Sequence, residues 1–126
     1  MKVLFSVLIG AASALLPSLS PATPDEHSDR EIRHLIDFVS TSGCTFIRNG
    51  DPHDSKSAAE HLLMKYGRAK SKLDTPEEFI EAVATRSYLT GQEYRVQCPG
   101  SVEMANADWL QAELVASRLV EDHAGR

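Results

Sequence analysis

Three features of this sequence predict an α+β fold, mostly helical, with about four helices packed on a short two-stranded antiparallel ribbon. Apolar residues recur at helical spacing in four separate stretches. Two β-rich segments, Cys44-Thr45-Phe46-Ile47-Arg48 and Glu93 to Cys98, each carry one of the two cysteines. Turn pairs at Asn49-Gly50 and Pro99-Gly100 end those segments.

The chain has 126 residues, room for one domain. Residues 1–22 read as a secretory leader: Lys2 is the positive end, the run Val3 to Leu16 is apolar but too short to span a bilayer, and small residues follow at Ser18, Ser20 and Ala22. Cleavage after Ala22 leaves a single domain over residues 23–126. Without Lys2, 12 basic residues face 18 acidic ones, a formal charge of −6, which argues against nucleic acid as a partner. No later segment is apolar enough to be a transmembrane helix.

The first helix should start near Ser28, where Ser28 and Glu31 fit a capping box, and bury Ile32, Leu35, Ile36 and Val39. Gly43 ends it, since glycine enters the left-handed C-cap conformation without steric cost. A strand over Cys44 to Arg48 follows, closed by the Asn49-Gly50 turn. Ser57 and Glu60 form a second capping box, and Ala59, Leu62, Leu63, Tyr66, Ala69 and Leu73 lie on one face of the helix after it. Thr75-Pro76-Glu77-Glu78 opens a third helix with an N-cap, an N1 proline and an N3 glutamate, and Phe79, Ile80, Val83 and Ala84 are its buried face. Ser87 to Gln92 reads as a loop. Glu93 to Cys98 alternates as a strand does, with Tyr94, Val96 and Cys98 on one side. The last helix begins around Asn106, turns Trp109, Leu110, Leu114 and Val115 inward, and frays from Val120.

The two strands constrain each other. Antiparallel pairing with Cys44 opposite Cys98 also sets Phe46 opposite Val96 and Arg48 opposite Tyr94, all on one face. Opposed residues in such a pair are close enough for a disulfide. Two cysteines in an exported chain suggest one, and closing this loop is worth about 4 kcal/mol in the chain-entropy model.

Several short motifs occur in one order: Phe46-Ile47-Arg48-Asn49-Gly50-Asp51; Ala58-Ala59-Glu60-His61-Leu62 with Lys65; Asp74-Thr75-Pro76-Glu77-Glu78-Phe79-Ile80; and Thr90-Gly91-Gln92-Glu93-Tyr94. In order and spacing they resemble the YfeK-like family, small exported proteins of Gram-negative bacteria with a domain of unknown function. The resemblance spans residues 44 to 98 and implies a periplasmic location and a common fold. It carries no reaction and no catalytic residue.

Candidate chemistry is sparse. Arg48-Asn49-Gly50-Asp51 places a cation and an amide on a tight turn, where a carboxylate or phosphate can be gripped in bidentate fashion, although turn chemistry alone accounts for Asn49 and Gly50. His61 lies one turn from Ser57 and from Lys65, with no third orienting group in the pattern. His53, Asp54 and His61 match no standard metal spacing, so no metal or cofactor is expected. Arg95 and Arg86 extend a cationic patch around Arg48. Trp109 reads as a core anchor. The cysteines lack the Cys-X-X-Cys arrangement that tunes a reactive thiolate. The sequence therefore points to a periplasmic domain that works by binding an envelope protein or a cell-wall-derived ligand, through Arg48, Asn49, Asp51, His61 and Arg95. The rival is a small envelope hydrolase or transferase using His61 with Ser57 or Ser87.

Overall fold

Asp25, rather than Ser28, caps the first helix of this computed structural model, which describes residues 10–16 and 23–125. Its carboxylate accepts from the Ser28 backbone N–H at 2.7 Å, so helix α1 runs Glu26–Thr41. Helix α2, Ser55–Ala69, repeats the device with Asp54 accepting from the Ser57 N–H at 2.8 Å. Both capping boxes read from sequence lie one turn too late. The carboxylate three residues upstream of each serine takes the orphan donor, and Glu31 is drawn away to Arg118, which holds it at 2.7 and 3.1 Å. Gly43, at φ +68°, does follow the end of α1 in the left-handed conformation.

After α1 the chain forms strand β1 (Thr45–Arg48), turns through Asn49 and Gly50, and returns as β2 (Asp51–His53). Both turn residues have positive φ, 53° and 80°, the type I′ geometry whose twist matches a hairpin. Helix α3 (Pro76–Val83) follows α2 after a 3₁₀ turn over Lys70–Lys72, and is capped by the Thr75 hydroxyl. Strand β3 (Arg95–Gln97) and strand β4 (Met104–Ala105) lead into helix α4 (Asn106–Ala124).

The sheet is four-stranded, order β2-β1-β3-β4 and antiparallel throughout, which corrects the expected two-stranded ribbon. Both extra strands are short and lie at the edges. β2 contains Pro52, and an edge strand tolerates a residue that cannot donate to the ladder. Between β1 and β3 the expected register is present, with Thr45, Phe46 and Ile47 opposite Gln97, Val96 and Arg95. It is extended by a Cys44–Cys98 disulfide. β3 is shorter than expected, and Glu93 instead bridges to Arg86.

Ile32, Leu35, Val39, Phe79, Val83, Leu110 and Leu114 are fully buried between the helices, and Tyr66 meets Phe79 edge to face at 5.6 Å. Half-buried Trp109 stacks on Phe38 at 4.5 Å and meets Phe46 at 5.6 Å, tying α1 and α4 to the sheet. Two residues expected inside, Leu63 and Val115, are about half exposed. Each is the outer edge of its stripe, displaced by a better-placed neighbour (Leu62, Leu114). Helix α4 also continues past Val120 to Ala124. Among the described residues no helix is long and apolar enough to cross a membrane. Most of the expected leader, residues 1–9 and 17–22, lies outside the described residues, and the described part, 10–16, is exposed and forms neither helix nor strand.

Candidate functional site

The hairpin turn puts Arg48 at the end of β1 on the side that carries Phe46, and Tyr94, the residue before β3, lies with it in one cleft. α2 crosses there with Ala58, His61 and Leu62, β2 contributes His53, and α4 begins with Asn106. These residues line one small cleft of about 30 Å³, with a mainly apolar surface. Arg48 and His61 thus share a concavity. Among the described residues, Arg48 has no carboxylate within ion-pair distance.

Lys65 stands behind the cleft wall. It occupies a position in the apolar stripe of α2, between Leu62 and Tyr66, and is only 4% exposed. Its ammonium donates to the carbonyls of Val83 at 2.6 Å and Arg86 at 3.3 Å and to Tyr94 Oη at 3.1 Å, which uses all three of its protons. The Tyr88 ring covers it at 4.0 Å. Burial, reinforced by Arg48, lowers its pKa to about 8.

Tyr94 Oη also lies 3.5 Å from His61 Nε2. With Lys65 donating to the phenol oxygen, the phenol proton can point at Nε2, and in that arrangement the imidazole proton is on Nδ1. Burial first, then the charges of Arg48, Lys65, His53 and Arg68, depress the His61 pKa to about 4. At neutral pH His61 is therefore an uncharged donor beside a charged arginine. Burial also raises the Tyr94 hydroxyl above its ordinary value, keeping it protonated.

The other expected binding residues are placed differently. Asn49 sits on the exposed turn with its amide engaged, its oxygen accepting from the Thr90 hydroxyl and its nitrogen reaching Ser87 Oγ at 3.5 Å, so it pins the hairpin to the 87–92 loop. Asp51 is exposed, across the hairpin from Arg48, and is not part of the cleft lining. Arg95 pairs with Ile47, which puts it on the opposite face of the sheet from Phe46 and Val96. There it meets Glu93 at 3.1 Å and Glu103 at 3.4 Å.

Ser87 Oγ accepts from the backbone N–H groups of Leu89 and Thr90, and the Ser57 amide is bound in the α2 cap. Neither serine hydrogen-bonds His61. Asp54 is likewise occupied as a cap, and among the described residues no group of three or more His, Cys, Asp or Glu is placed to hold a metal. The binding set expected from sequence omitted Lys65, Tyr94 and His53, although each was noted near Arg48 or His61, and it omitted Asn106. A lysine inside an otherwise apolar helical stripe was the available signal for the first of them.

A curated relative, the "Uncharacterized protein YfeK" of Salmonella typhimurium, is 35% identical over 89 residues, covering 69% of this chain and 74% of its own length. No solved structure matches. The model of the family of unknown function DUF5329 matches residues 26–118, from the first residue of α1 to the arginine that joins α4 to Glu31, and the chain belongs to that family.

Proposed function

We propose that this is an exported, periplasmic binding module of the cell envelope, whose cleft grips an anionic group of an envelope protein or a cell-wall-derived ligand. Arg48 carries the reading: its guanidinium has no carboxylate partner among the described residues and stands at the mouth of a mainly apolar concavity beside a neutral imidazole. An unpaired guanidinium over an apolar floor is worth most to a ligand that brings the missing anion and leaves water behind. Asn49 and Asp51 adjoin Arg48 on the hairpin without lining the cleft, and Arg95 is a separate ion-paired feature outside it. Support for export comes from the apolar leader and from the Cys44–Cys98 disulfide, which suits an oxidising compartment.

The test is an in-cell crosslinking pull-down of the exported protein, comparing wild type with Arg48→Ala by mass spectrometry. An envelope component captured by wild type and lost from the variant is the expected result. Equal capture by both overturns the assignment of the cleft.

A further inference from the structure

Asn49 and Gly50 form a reactive pair that the anion reading does not use. An asparagine followed by glycine can lose its amide. The Gly50 backbone nitrogen gives its proton to water and attacks Asn49 Cγ, the Cγ–Nδ2 bond breaks, and ammonia leaves with a proton returned by water. The product is a five-membered succinimide. Water then adds at either of the two ring carbonyls, which leaves aspartate or isoaspartate at position 49. Glycine favours the attack because no side chain shields its nitrogen. The space around Gly50 is open, with no heavy atom within 4 Å of where a Cβ would sit, and Asn49 is exposed.

The turn holds this chemistry off. Ring closure needs the Gly50 nitrogen to eclipse Cβ about the Asn49 Cα–C bond. With φ 53° at Asn49 and 80° at Gly50, the turn is of type I′, whose first residue has a ψ of about +30°, and that sets the nitrogen nearly opposite Cβ instead. The Arg48–Asp51 pairing fixes the turn at two residues. The side chain is held as well: Thr90 Oγ1 donates to Asn49 Oδ1, and Asn49 Nδ2 donates to Ser87 Oγ at 3.5 Å. Reaction therefore requires the hairpin to open and the amide to leave both partners. Strand β2 is a mostly exposed three-residue edge strand containing Pro52, the kind of element that opens locally at far less cost than global unfolding.

From these observations we propose that Asn49 is a self-modifying position, converted through a succinimide when the β1–β2 hairpin opens, and that the Thr90 hydroxyl is the latch on that opening. Conversion to aspartate adds one negative charge at the residue next to Arg48. Isoaspartate also adds a methylene to the main chain of a two-residue turn, so the Arg48–Asp51 register is lost. On the binding reading above, either product weakens the anion site, because a local carboxylate competes for the guanidinium.

The experiment is peptide mapping by mass spectrometry after incubation of the disulfide-intact protein in heavy-oxygen water at mildly alkaline pH, beside the reduced chain in urea. Label should enter at Asn49 in both, at least about tenfold more slowly in the folded protein, as reaction through a local opening implies. The other asparagine, Asn106, is buried at the head of α4 and should stay unlabelled in the folded protein. Thr90→Val should speed labelling of the folded protein at least about threefold, the effect of losing one hydrogen bond, with the rate in urea and the melting temperature close to wild type. Thr90→Ser, which keeps the hydroxyl, should match wild type. No label at Asn49 in urea, or equal rates in the folded and unfolded chains, overturns the modification gated by the hairpin. A folded-state rate in Thr90→Val equal to wild type overturns the latch. No ligand enters these rates, so their outcome is separate from that of the binding reading.

Discussion

Lys65 Nζ and Tyr94 Oη, 3.1 Å apart, join the interior of the helical layer to the candidate site. The same ammonium holds the Val83 carbonyl at the last turn of α3, where a positive charge also complements the helix dipole. One buried cation therefore ends a helix and orients the phenol that faces His61.

That position has a pH signature. With the Lys65 pKa at about 8 in the fold against an ordinary 10.5, the unfolded chain binds more protons between those values. Stability then rises with pH across that window, because the cost of burying the charge is relieved as the folded lysine deprotonates. Chemical denaturation of the wild type should show increasing stability from pH 8 to about 9.5, before tyrosine ionisation in the unfolded chain opposes it near pH 10. Lys65→Met should lose that rise. It should also be less stable at pH 7 by about 1–3 kcal/mol, since carbonyls that the ammonium satisfied are left without a donor. A rise that persists in the variant would place the titrating group elsewhere.

His61 is expected to titrate near pH 4 by NMR, with its ring proton on Nδ1. Burial is the largest cause, so Arg48→Ala should raise that value while leaving it below the ordinary 6.5. Tyr94→Phe should redistribute the proton between Nδ1 and Nε2, visible in the ring nitrogen shifts, with little change in melting temperature. Because the folded pKa is depressed, the folded protein binds fewer protons than the unfolded chain between about pH 6.5 and 4, and stability falls as pH drops through that range. His61→Gln should flatten this acid limb.

The helix caps give a test that separates two readings of the same residues. Asp54→Ala removes the acceptor at 2.8 Å from the Ser57 N–H and should lower the midpoint of thermal or chemical unfolding. Ser57→Ala, on an exposed side chain whose backbone N–H remains bonded to Asp54, should lower it less. The reverse order would return the cap to Ser57.

These caps also show how much could be read in advance. The apolar stripes Ile32/Leu35/Ile36/Val39 and Phe79/Ile80/Val83/Ala84, the Thr75-Pro76 helix start and the β1–β3 register were legible, because periodicity, proline placement and a cysteine pair are local or pairwise signals. The position of a cap was not. Asp25-x-x-Ser28 and Ser28-x-x-Glu31 are both acceptable boxes, and the choice is made by Arg118, 87 residues from Glu31, which claims that carboxylate from another helix. The edge strands were hidden for a different reason: three residues containing Pro52, or two at Met104–Ala105, carry too little pattern to stand out. Of the candidate site, Arg48 and His61 were identifiable as polar residues on patterned elements. Lys65 was noted only as a neighbour of His61, Tyr94 as a strand residue and Asn106 as a helix start, because what distinguishes them is a partner made or missing across the fold. Arg95 shows the converse, a cation that only the pleat separates from Arg48.

The Cys44–Cys98 bond closes a loop with a sequence separation of 54 residues that contains β1, β2, α2, α3 and β3, so it restrains a long central stretch of the unfolded chain while adding one cross-strand link to the folded one. On the chain-entropy model its loss costs about 4 kcal/mol, a large share of the roughly 5–15 kcal/mol that stabilises a typical domain. The paired substitution Cys44→Ala/Cys98→Ala avoids a free thiol and keeps the Phe46–Val96 pairing that holds the register. It should retain the wild-type circular dichroism spectrum at low temperature while melting well below the oxidised protein. Reduction of the wild type should lower the melting temperature by a similar amount. If oxidised and cysteine-free proteins melt together, the register and the helical core alone hold the ends of this loop, and the disulfide contributes little to stability.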